Sequence, residues 1–123
     1  MLAAAIGWIL VASGIITAAG GLFAAAAPRA LLRTVFGVTE TGAALRFFAR
    51  HWGVLIFAIG ALLVWAAYDP SQRGAVLVAA ALEKLAVVAM IFFGPLPRTR
   101  LMTVAAVADG TFALLYLAYL GHL

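Results

Sequence analysis

The stretch AVLVAAALEKLAVVAMIFF, Ala75 to Phe93, decides the reading of this chain. It is apolar throughout except for Glu83 and Lys84 at its middle. A helix of this length crosses the hydrocarbon of a bilayer, which takes about 20 residues at 1.5 Å per residue. Two charges then sit at mid-depth. An ionisable side chain there costs about 2.5–3.5 kcal/mol on insertion scales, so such residues turn toward a partner or a cavity.

The next apolar run, Leu101 to Leu120, carries Asp109 near its centre. One run enters from one side and the other returns. Glu83 therefore lies about 15 Å below the shared edge and Asp109 about 12 Å. The levels match. Glu83 and Lys84 are sequence neighbours and point about 100° apart, so each needs a partner elsewhere. The simplest arrangement pairs Lys84 with Asp109, and leaves Glu83 to Arg50, to His51 or to a proton. Ala105, Ala106 and Ala113 flank Asp109 and leave space beside it, with Tyr116 two turns on.

Outward from this centre the composition agrees. Of the 123 residues, 67% are hydrophobic and 10% charged, against about 45–50% and about 25% in soluble domains. The surplus belongs on a surface solvated by lipid. The chain has room for four spans, at about 2–27, 47–68, 75–93 and 101–120. The expected fold is all-α: one integral membrane four-helix bundle, residues 1–123 as a single transmembrane domain.

The first span resembles a signal peptide at Ala24-Ala25-Ala26. However, no basic residue precedes it and its apolar run is long, so a retained span is expected. Gly7, Gly14 and Gly21 recur along it, and Gly53 and Gly60 along the second. Small residues at such spacings let helix backbones approach closely in lipid. One bundle interior need not use both stripes, so a homo-oligomer or a partner membrane subunit is expected on the other. Ser13 and Thr17 lie one turn apart at mid-depth. They either bond back to their own helix or face the buried charges.

Between the first two spans, PRALLRTVFG (Pro28 to Gly37) has proline where a helix starts and glycine where it stops. Leu31, Leu32, Val35 and Phe36 share one side, Arg29 and Arg33 another. A short interfacial helix is expected, apolar side down. Thr39 or Thr41 is expected to cap the following helix. Arg46, Arg50, Gly53, Phe57 and Gly60 share a face of it, which aims Arg50 into the bundle and sets His51 one residue round.

Six arginines (Arg29, Arg33, Arg46, Arg50, Arg98 and Arg100) accompany the first and third loops, and only Arg73 the second. The positive-inside rule places both termini outside a bacterial cytoplasmic membrane. Trp8, Trp65, Tyr68, Tyr116 and Tyr119 fall toward the outer interface as an aromatic belt. The net charge of +4 is thus topological, and no nucleic-acid partner is expected. With no cysteine, thiolate chemistry and cysteine-ligated metal are excluded. No phosphate-binding glycine loop and no nucleophile elbow occur. His51 and His122 lie at opposite faces, so no metal or haem held by both is expected.

The chemistry left is Glu83, Lys84 and Asp109, with Arg50, His51, Ser13, Thr17 and Tyr116 as candidate ligand-binding neighbours. It allows a structural ion-pair network, a site for a lipophilic molecule, or a proton pathway formed by an oligomer. It also allows a small intramembrane enzyme of isomerase, cyclase or hydrolase type on an isoprenoid- or sterol-like substrate. There Glu83 or Asp109 would move a proton while Lys84 or Arg50 stabilises charge.

The order of features resembles the small four-helix bacterial membrane proteins of the DoxX-like group. It comprises a glycine-rich span, Pro28 to Gly37, Arg46 and Arg50 leading into His51-Trp52-Gly53, Gly60, and a short turn with Pro70 and Arg73. That resemblance implies a membrane subunit working with a quinone or a partner subunit. It assigns no catalytic residue here, because Glu83, Lys84 and Asp109 match no motif of the group. The first expectation is therefore a membrane protein binding a lipid- or quinone-like molecule, or an accessory subunit, with no other cofactor.

Overall fold

The computed structural model describes residues 1–122. Among them the chain forms five α-helices in the order α1 (Leu2–Ala26), α2 (Pro28–Phe36), α3 (Ala43–Tyr68), α4 (Arg73–Phe93) and α5 (Arg100–Gly121). A single 3-10 turn, Pro70–Gln72, leads into α4. Four of the helices are long and apolar enough to cross a membrane. The expected all-helical bundle with a short helix after the first span is what forms.

The helix boundaries have local causes. Pro28 opens α2, where its missing N–H is an orphan in any case. Gly37 closes α2 at φ 70°, a left-handed conformation that favours glycine, and its N–H bonds back to the Arg33 carbonyl at 3.2 Å. Asp69 accepts from the Ser71 N–H at 3.2 Å and so shapes the turn into α4. Thr99 caps α5 by accepting from the Met102 N–H at 3.1 Å. The same hydroxyl donates to the Val35 carbonyl, tying the last turn of α2 to the start of α5. The threonine cap expected on α3 is absent. Gly42 holds that position, while the Thr41 carbonyl and hydroxyl both take hydrogen bonds from Arg46. A side chain already occupied by a guanidinium does not turn back to the helix.

The helices pair as α1 with α3 and α4 with α5, and the two pairs meet along α3–α4 and α1–α5. The closest approach is between α1 and α3. Gly14 lies against Gly60 and Gly21 against Gly53; a Cβ built on Gly14 would sit 2.8 Å from the Gly60 carbonyl oxygen. Gly14 and Gly21 of one stripe thus face Gly60 and Gly53 of the other, while nothing lies within 4 Å of a Cβ on Gly7. Gly14, Gly21, Gly53 and Gly60 are therefore used within the chain and are not left over for an intermolecular contact. A helix that presents glycines needs a neighbour with equally small residues, and the other stripe supplies them.

The core lies between the two pairs toward the end where the termini and the Asp69 turn sit. Ile6, Leu10, Leu63, Leu77, Ala80 and Tyr116 form its centre. At that end Met1 and His122 line one shallow cleft. Most of the outer surface is apolar along the full length of the helices. Leu82 is 69% exposed and Leu114 66%. Side chains of this kind, at mid-helix on every face turned outward, suit hydrocarbon and not water.

Arginine side chains add hydrogen bonds to the carbonyls at two helix ends. Arg73 donates from Nε to the Ala66 carbonyl at 2.8 Å and from Nη2 to the Ala67 carbonyl at 2.9 Å. Arg50 donates from Nε to the Ala25 carbonyl at 3.0 Å. The last carbonyls of α3 and α1 carry the negative end of the helix dipole, so a cation there is favoured on two counts.

Candidate functional site

Lys84 is the centre of the polar interior. Its side chain reaches from α4 across the bundle, and the residue is 1% exposed. Its ammonium donates to the Asp109 carboxylate on α5 at 3.0 Å and to the Thr17 hydroxyl on α1 at 2.9 Å. It stands 5.8 Å from the centroid of the Phe112 ring, within cation–π range. Three helices therefore converge on one nitrogen. The pairing of Lys84 with Asp109, read from matching depths, is present in the fold.

Glu83 is held differently. Its Oε1 lies 4.0 Å from the Lys84 nitrogen, at the limit of an ion pair, and makes no hydrogen bond although it is buried. Neither Arg50 nor His51 reaches it. At 1.5 Å per residue, Arg50 lies about 12 Å nearer the α1–α2 end than Glu83 does. Its guanidinium is committed to the end of α1. His51 is exposed on the outside of α3. The expectation of Arg50 pointing into the bundle is corrected by these contacts.

Tyr116 and Ser13 form a second, smaller polar contact deeper in the core. The tyrosine is fully buried and its hydroxyl donates to the Ser13 hydroxyl, which in turn donates to the Ile9 carbonyl at 2.6 Å. Tyr116 therefore does not belong to an aromatic belt, whereas Trp8, Trp65 and Tyr68 are well exposed. Its ring stacks on Phe112, with centroids 6.4 Å apart and planes inclined by 13°, which connects this contact to Lys84. Ser13 bonds to its own helix as well as across it. Thr17 accepts from Lys84.

Beside the charge cluster is a cavity of about 220 Å³. Its polar lining is Thr17, Glu83, Lys84 and Asp109; the other walls are apolar, with Trp52 from α3 and Ala105 and Ala108 from α5. Leu31, Val35 and Phe36 of α2 cover one side. The apolar face of this helix, expected to dip into the interface, forms part of the cavity wall. A second, wholly apolar groove of about 570 Å³ runs between α2, the start of α3 and the end of α4. Leu31, Phe36, Trp52, Val87, Ile91 and Met102 wall both spaces. Ser13, Tyr116, Arg50 and His51 line neither.

The site thus has a polar end and an apolar exit. Its exposed chemistry is asymmetric. The Lys84 side chain is 2% exposed, Glu83 16% and Asp109 25%. What an incoming group meets is carboxylate, with the ammonium shielded behind it. Among the described residues, no three His, Cys, Asp or Glu side chains gather as a metal site.

Comparison with protein-family models, curated proteins and solved structures finds no match. The geometry is therefore what speaks about function. Trp52 was not singled out as a site residue from the sequence. Its only signal was its place one residue before Gly53, which the fold turns into a cavity wall because Gly53 packs tightly on α1.

Proposed function

We propose that this chain is an integral protein of a bacterial cytoplasmic membrane, both termini outside, that binds a lipophilic molecule bearing a polar head, lipid- or quinone-like. The head sits at Glu83 and Asp109 in mid-membrane, and the apolar part follows the groove beside α2. One observation carries this reading. A largely apolar cavity has Glu83 in its lining, and the Oε1 of that carboxylate is buried without a hydrogen-bond partner. A buried acceptor without a donor costs about 1–3 kcal/mol, more for a charged group, so it marks a place where a donor belongs. The hydrogen bonds of Lys84 go to Asp109 and Thr17, and Glu83 stands only at the 4.0 Å limit of an ion pair with it.

The test is mass spectrometry of lipophilic molecules retained by the purified full chain. Ala108 lines the cavity, and Ala108→Phe fills it. A species retained near one per chain by the native protein, and reduced several-fold by Ala108→Phe, is the expected result. Identical retained profiles for the two proteins would sink the reading.

Orientation is tested separately. The chain has no cysteine, so single cysteines can be placed freely. Gln72, in the turn before α4, and Pro97, between α4 and α5, are both exposed. In intact cells an impermeant thiol reagent is expected to label Gln72→Cys and spare Pro97→Cys. The opposite pattern would reverse the topology drawn from the arginines.

A further inference from the structure

The polar end of the cavity selects the charge of its ligand. We propose that the site takes a lipophilic cation: an alkyl chain ending in a protonated amine, with the ammonium donating to Glu83 and the chain lying in the apolar groove beside α2. This rests on the reading above of a lipophilic molecule with a polar head, and replaces a quinone- or phosphate-type head by an amine.

Three observations support the choice. The first is charge balance. Lys84 and Asp109 neutralise each other at 3.0 Å, whereas the nearest cation to Glu83 is the same Lys84 nitrogen at 4.0 Å. One carboxylate at mid-depth is thus without a counter-charge of its own. A cationic ligand would supply the close counter-charge that Lys84, at 4.0 Å and shared with Asp109, does not.

The second is donor supply. The ammonium of Lys84 gives two of its three N–H donors to Asp109 and Thr17 and is almost wholly covered. A ligand that only accepts hydrogen bonds, such as a ketone or a carboxylate, meets the more exposed carboxylates first, because the Lys84 side chain is 2% exposed against 16% for Glu83 and 25% for Asp109. A carboxylate or phosphate would also add negative charge where carboxylate is already the exposed surface. A neutral alcohol could donate to Glu83 but would leave its charge uncompensated. An ammonium does both.

The third is the wall. Trp52 and Phe36 line the space beside the carboxylates. Aromatic faces attract cations at distances up to about 6 Å and tolerate the adjoining methylenes. The groove that continues past Trp52 is lined by Phe48, Met90 and Leu96, with no charged side chain. It suits an alkyl chain and nothing that must stay hydrated.

The experiment uses the full chain in lipid nanodiscs. The chain has three tryptophans, so Trp8→Phe and Trp65→Phe leave Trp52 as the reporter. Its fluorescence is followed while dodecylamine, dodecanol or dodecanoate is added at matched membrane concentration. Dodecylamine is expected to saturate the signal at a concentration about tenfold or more below the other two, and Glu83→Gln to abolish that preference while dodecanol binding persists. Dodecylamine binding no tighter than dodecanol, in the chain with Glu83 intact, overturns the proposal even if the glutamine variant fails to fold. A preference that survives Glu83→Gln overturns it too. No saturable response to any of the three probes removes the ligand reading itself. That outcome is distinct from binding without preference for the amine.

Discussion

Lys84→Met and Asp109→Leu each destabilise the chain by about 3–5 kcal/mol, and the double variant recovers much of the loss. The cause is the charge left behind. In Lys84→Met the Asp109 carboxylate loses its salt-bridge partner and Glu83 loses the cation beside it. In Asp109→Leu the ammonium keeps the Thr17 hydroxyl and a carboxylate 4.0 Å away, but it remains buried. Removing both charges replaces the pair with apolar volume, which is often nearly neutral. Recovery in the double variant stops short of complete because Glu83 then stands alone. Adding Glu83→Gln to it is expected to restore more. Thermal unfolding in detergent across the set reads the coupling directly. Losses that simply add in the double variant would mean that the two residues do not act as a pair.

The second large effect comes from the α1–α3 contact. Gly60→Ala is expected to destabilise by about 3 kcal/mol, the upper end of what overpacking costs. A methyl group on Gly60 would run into the backbone of Ala18 and the carbonyl oxygen of Gly14. Backbone atoms in the middle of a helix cannot rotate away as a side-chain tip can, so the two helices must separate. Gly7 and Gly20 are the controls. Nothing lies within 4 Å of a Cβ at either position. Alanine there stays within about 1 kcal/mol of the native chain, with the change toward stability, because glycine is the weaker helix former. The same thermal unfolding measurement serves all three. If Gly60→Ala behaves like Gly7→Ala, the close approach of α1 and α3 is not what holds the bundle together.

Much of this protein is determined by its sequence alone. Four apolar runs of spanning length can satisfy their backbones in lipid only as helices, so number, class and approximate limits follow from composition and length. Pro28 and Gly37 bound α2 through local backbone preferences that need no neighbour. The Lys84–Asp109 pair was legible because depth along a helix is set by counting residues at a fixed rise, and two charges of opposite sign at one level of apolar helices have few other options. Other features were decided only by the tertiary structure. Helical periodicity gives the rotation of a side chain about its own axis but not which helix stands opposite. For that reason the meeting of the two glycine stripes, the burial of Tyr116 against Ser13 and the turn of Arg50 toward the end of α1 were not readable in advance. The site follows the same division. The sequence shows that Glu83 is at mid-depth, but its lack of a partner depends on how three other helices and the roof of α2 close around it. A cavity is the space that several elements leave between them, and no single stretch of chain encodes it.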